Sequence, residues 1–158
     1  MPVIDLLTWN YLIHNYCDFP NLFKAISYNP KKQLMCLVLE NKNSQPQVAE
    51  ADIICYKVLV KHQDGLFTLY TKTPVSVGST YESEFSFTEW GDIDCGLHSF
   101  GRLIQANDFI DIWLTPSTVE YVLCKCCIPK GSRYYQGSFC GCLSYASDKL
   151  SYLEIIND

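Results

Sequence analysis

The sequence predicts one α+β domain: a twisted, mainly antiparallel sheet with an N-terminal helical segment and one helix after residue 98. Three observations predict it. The chain has 158 residues, the length of one domain, and a chain of that size buries roughly 70% of its unfolded surface. Hydrophobic residues make up 48% and charged residues 18%, which excludes a disordered tail. Aromatics reach 14%, led by eleven Tyr and eight Phe, and favour strands.

Residues 3–16 place Ile4, Leu7 and Tyr11 near helical spacing, widened by Leu6, Trp9 and Ile13, as in a largely buried amphipathic helix. Asp18 and Pro20 interrupt it. Asn21 caps a second short helix, Leu22 to Tyr28, which Asn29-Pro30 ends. Residues 33–40 are a short apolar run with polar ends, read as a strand. Residues 41–50 are polar, contain Pro46, and read as a surface loop. The expected organisation is a 1–45 helix and strand segment packed on a β-rich body over 51–158, because the first piece is too small to hold a core alone.

The body opens with a hairpin. Ile53 to Lys61 is a strand with Ile54, Tyr56, Val58 and Val60 on one face. His62-Gln63-Asp64-Gly65 turns it, and Leu66 to Thr71 returns. Residues 79–87 read as another strand, punctuated by Trp90-Gly91-Asp92. Cys95 to Phe100 opens the expected helix, Ser99 to Ile110, with Leu103, Ile104, Ala106 and Phe109 on its buried face. Val119 to Ile128 and Leu150 to Ile156 are strands. Pro129-Lys130-Gly131 is a turn, and Gly137 and Gly141 mark loops around Phe139-Cys140. The order is irregular and does not repeat as βαβ.

Residues 1–13 carry Asp5 and no basic leader, and no apolar stretch reaches the roughly 18–20 residues of a membrane span. A cytoplasmic protein without a membrane partner is expected. Lys plus Arg is 12 and Asp plus Glu is 17, net −5, which argues against a nucleic-acid partner. In a reducing compartment the nine Cys are thiols rather than bridges, and an odd count argues against a fully paired framework.

Cys124, Cys126, Cys140 and Cys142 form a C-x-C…C-x-C pattern, with Cys127 beside it. Four thiolates suit zinc. Alternate residues of one strand, however, hold their sulfurs about 6–7 Å apart, which suits core positions better. Zinc is the minority reading. Asp92 and Asp94 read as a solvated acidic loop, because no third ligand follows at metal spacing.

Two blocks carry more specific signals. In Cys95-Gly96-Leu97-His98-Ser99-Phe100, an imidazole at the mouth of a helix suits an anion or polar ligand, through His98 and Ser99. In Pro129-Lys130-Gly131-Ser132-Arg133-Tyr134-Tyr135, Lys130 and Arg133 beside Tyr134 and Tyr135 suit a phosphate and a stacked ring. Ordinary loop-fixing and a solvated hairpin are the competing readings.

The order Tyr56-Lys57-Val58, Val77-Gly78-Ser79-Thr80-Tyr81, Gly96-Leu97-His98-Ser99-Phe100 and Ile128-Pro129-Lys130-Gly131-Ser132 resembles small bacteriophage and gut-bacterial proteins over residues 53–156. That resemblance implies an accessory protein in a host cytoplasm and carries no settled activity. More loosely, Tyr56-Lys57, His98-Ser99 and Glu154 occupy serial positions similar to those of the ADP-ribosyltransferase scaffold. That likeness implies NAD as cofactor and His98, Tyr56 and Glu154 as catalytic candidates. The chain departs from it: no Arg-Gly or His-Gly stands in the first strand, and Ser147-Asp148-Lys149 stands where Glu-x-Glu is expected. The leading expectation is a non-enzymatic protein that binds a host protein or a small phosphorylated ligand. An NAD-using transferase and a zinc-stabilised interaction module are the alternatives.

Overall fold

The computed structural model describes residues 37–41, 44–114 and 117–156. The first strands are β1 (Gln47–Val48), β2 (Ile53–His62), β3 (Gly65–Thr68), β4 (Pro74–Val75) and β5 (Thr80–Glu82). After β6 (Ser86–Phe87), β7 (Ile93–Cys95) and β8 (Leu97–Phe100) comes helix α1 (Leu103–Phe109), with a π-helical turn, Ile110–Leu114, on its end. The chain closes with β9 (Glu120–Ile128), β10 (Arg133–Phe139), β11 (Cys142–Ser147) and β12 (Lys149–Ile156).

This corrects the α+β class. Among the described residues strand accounts for 53% and helix for 10%, so the body is a β-rich fold. The expected helices at 3–16 and 22–28 lie outside the described residues. The helix expected from Ser99 starts later, because residues 97–100 pair with β11 and Arg102 is still extended, at φ −133° and ψ 135°. The GLHSF block is therefore strand, and its backbone groups are satisfied by a ladder rather than by a helix. The strand expected over 79–87 divides into β5 and β6. Gly137 lies inside β10, not in a loop.

Among the described residues ten strands form one sheet in the order β1-β10-β11-β8-β2-β9-β12-β5, with β3 beside β2 and β4 beside β3. Their pairings are antiparallel. β6 and β7 form a separate ribbon. The sheet curls strongly. Tyr81 on β5 and Tyr134 and Tyr145 on β10 and β11 come from opposite ends, yet pack on one cluster around Cys55, Leu59, Cys126 and Tyr152. Such coiling is how a large sheet buries one face on itself.

The other face of β2 and β9 is covered by α1, whose Ala106 and Phe109 pack on Val58, Phe100 and Leu123. A third cluster joins Leu37 and Leu39 to Ile93, Tyr135 and Ala146. Short bridges from Leu37 to Ile93 and from Val38 to Ser138 fasten this segment to the body.

One irregularity positions the candidate site. β9 runs beside β2 along nearly its whole length. On the other side of β2, β8 meets it only at Tyr56↔Phe100, and β3 begins only at Leu59↔Thr68. Among the described residues Lys57 and Val58 have no paired strand on that side. The sheet forks there.

Candidate functional site

A cavity of about 370 Å³ opens at the fork. Its wall includes Lys57 and Val58 of β2 and Ser99 and Phe100 of β8. Consecutive strand residues point to opposite faces, so the cavity reaches both faces through the split. Phe100, Phe109 and Phe139 form one part of the wall, with ring centroids 5.3, 5.9 and 5.5 Å apart. Val75, Tyr81 and Tyr152 form another. The volume falls within the range of small-molecule sites.

Lys57 is the unusual group. It pairs with Cys124 in the β2–β9 register and lies between Cys55 and Leu59 along its strand face. Both of those neighbours are fully buried. Its Nζ donates to the His98 carbonyl at 2.5 Å, and it makes no ion pair among the described residues. Burial holds its ammonium below the usual lysine range; the nearby thiols of Cys126, Cys55 and Cys124 oppose this only in part. Lys57 and His98 are half-buried and both line the cavity.

His98 stands beside it. Burial, then the Lys57 charge, push the imidazole down to about 3, against an opposing hydrogen bond with the Asp94 backbone. The ring is therefore neutral near pH 7. Its Nε2 has no partner among the described residues, so by elimination Nδ1 makes the Asp94 contact and carries the proton, leaving Nε2 as an acceptor. An unpaired buried polar atom costs about 1–3 kcal/mol. One wall thus offers an amine and an imidazole acceptor in a mostly carbon-lined space.

The thiols lie behind Lys57. Cys55, Cys124 and Cys126 are fully buried. Burial pushes Cys55 up to about 11, with the Ser99 hydroxyl opposing. A hydrogen bond between Cys124 and Cys126 lowers the first and raises the second, which burial raises further. Cys142 packs against the helix-side cluster, away from the Cys124–Cys126 core. Among the described residues no group of three or more His, Cys, Asp or Glu is placed to hold a metal.

The sequence-predicted residues separate. His98 and Ser99 line the cavity. Tyr56 packs against the helix-side cluster. Glu154 is exposed and pairs with Lys125 at 3.3 Å, outside the cavity wall. His98, Tyr56 and Glu154 are therefore not gathered in one cleft.

The basic-aromatic block is engaged internally. Arg133 Nε donates to Asp148 at 3.0 Å, and its guanidinium sits 5.7 Å from the Phe85 ring centre. The Tyr134 hydroxyl donates to Gln47 at 2.7 Å. Tyr135 is buried against Phe85 and Phe87. Lys130 is exposed on its turn, where its backbone N–H donates to Asp52.

Sequence reasoning missed Lys57 as a site residue, although its signal was present. In Ile53 to Val60 both alternating faces are apolar apart from this one residue. A strand apolar on both faces tends to be covered on both, which marks its single lysine as a candidate for burial. Among the described residues no helix is long and apolar enough to cross a membrane. Comparison with protein-family models, curated proteins and solved structures finds no match to the chain.

Proposed function

We propose that this protein binds a small organic molecule at the fork of β2, with an apolar body against Phe100, Phe109 and Phe139 and a polar head at Lys57 and His98. One observation carries the reading: among the described residues Lys57 has only a carbonyl partner and His98 Nε2 has none, and both line the same cavity. Such groups are costly to fold around when nothing meets them. A ligand head with a donor and an acceptor satisfies both.

This reading keeps the ligand-binding expectation and moves its centre. The alternative head group, a phosphate held by Lys130 and Arg133, has weaker support because Arg133 already pairs with Asp148. A thermal-shift panel separates the two. Aromatic and medium-chain alcohols and carboxylates should raise the melting midpoint, since a ligand of the native state stabilises by about 2.7 kcal/mol at a hundredfold excess over Kd. His98→Asn should weaken that shift, and Arg133→Ala should leave it intact. A midpoint that responds to nucleotides alone, or to no compound, would refute the cavity reading.

A further inference from the structure

The geometry points to a covalent role for Lys57: its amine captures an aldehyde or ketone in the cavity as an imine. This rests on the cavity being a ligand site and names the class of ligand it takes.

Three features support it. Lys57 lies in the gap between β8, which meets β2 at Tyr56, and β3, which begins at Leu59, and it lines the cavity that opens there. No carboxylate pairs with it among the described residues, so its ammonium has the His98 carbonyl and the nearby thiols but no ion-pair partner. Desolvation also lowers the amine's affinity for its proton, and a lysine desolvated in an apolar site is the kind that attacks carbonyl carbon. The His, Asp and Glu side chains in the wall are His98, Asp94 and Glu82, and Glu82 is paired with Lys149 at 3.5 Å.

The step balances without an oxidant or reductant. The Nζ lone pair forms a bond to the carbonyl carbon, and the C=O π pair moves to oxygen. The nitrogen gives up a proton and the oxygen takes one, giving a carbinolamine. Loss of that hydroxyl with a second proton from nitrogen releases one water and leaves C=N. An amine still donating one N–H to the His98 carbonyl keeps its lone pair for this attack. His98 Nε2, an acceptor in the same wall, receives the hydrogen bond of the carbinolamine hydroxyl. The aromatic wall keeps bulk water from the imine, which slows hydrolysis.

The test uses the full chain at pH 7 with cinnamaldehyde and octanal, each reduced by borohydride and mapped by peptide mass. Their alcohols, cinnamyl alcohol and octanol, are run alongside by thermal shift. Lys57 should carry the secondary-amine adduct in about tenfold excess over exposed Lys61, Lys125 or Lys149. Lys57→Arg and Lys57→Met should lose it. Folding of both variants is checked by circular dichroism, and Lys57→Met, which removes a desolvated amine that has no carboxylate partner among the described residues, should melt no lower than the parent. An even spread of label over the surface lysines, with the alcohols still raising the midpoint, overturns the imine and leaves the binding site standing. No selective adduct and no alcohol effect overturns both. A Lys57 adduct supports the proposal whether or not the alcohols bind.

Discussion

His98 shows how one side chain links burial to stability and to binding. Its imidazole is held neutral by burial and by the Lys57 charge beside it, with a pKa near 3 in the fold against about 6.5 in the unfolded chain. Between those values the unfolded state binds the extra proton, so stability is fully present above about pH 6.5 and is lost as pH falls towards 3. Replacing His98 by Asn removes this contribution and leaves the other titratable groups in place. The difference in unfolding free energy between parent and variant should change by up to about 1.4 kcal/mol per pH unit inside that window. Urea melts at stepped pH measure it. Parallel pH profiles would mean the ring is solvated in the fold.

At the scale of elements, β10 shows why a glycine reads ambiguously in sequence. Gly137 looks like a loop residue, yet it sits mid-strand opposite Ser144. Its missing Cβ lets the Leu37–Val38 segment lie against the strand: a built Cβ would stand 2.3 Å from the Val38 carbonyl oxygen. Gly137→Ala should therefore push that segment off and cost about 1–3 kcal/mol by overpacking. Gly65 takes φ +133° with nothing near its Cβ position, so Gly65→Ala should cost only backbone strain, about 1 kcal/mol. Chemical denaturation of both variants tests the order. Equal losses would show that the close approach at Gly137 is relieved cheaply. The same scale explains the displaced helix. Phe100 pairs with Ser144 and Tyr56, and those distant ladder bonds outweigh the helical spacing of 99–110.

For the whole molecule, the cysteines report how tightly the curled sheet closes. Cys95 is exposed, whereas Cys55, Cys124 and Cys126 are fully buried. A small alkylating reagent should label Cys95 in the native protein and reach the three core thiols only as the sheet opens globally. The core thiols should then become reactive together, because β2, β9 and β12 share one cluster. Mass mapping over time in low denaturant checks this. Early labelling of Cys124 with Cys95 would sink the idea of one cooperative core.

Much of this was legible in residues. The strand residues Ile53 to Lys61, Val119 to Ile128 and Leu150 to Ile156 announce themselves by apolar, β-branched and aromatic content. The core role of Cys124 and Cys126 follows from their place on a strand apolar on both sides. What composition and periodicity could not supply was pairing. Whether His98 opens a helix or continues a ladder depends on β11, which follows it by some forty residues in the chain. Whether Lys57 meets a neighbouring strand depends on where β8 ends and β3 begins along β2. By itself, then, the sequence determined the long strands over Ile53 to Lys61, Val119 to Ile128 and Leu150 to Ile156, and set a lone lysine in the apolar run of the first. The tertiary structure alone decided that the lysine faces a cavity beside His98, because strand order and register arise from contacts remote in sequence, which local spacing does not encode.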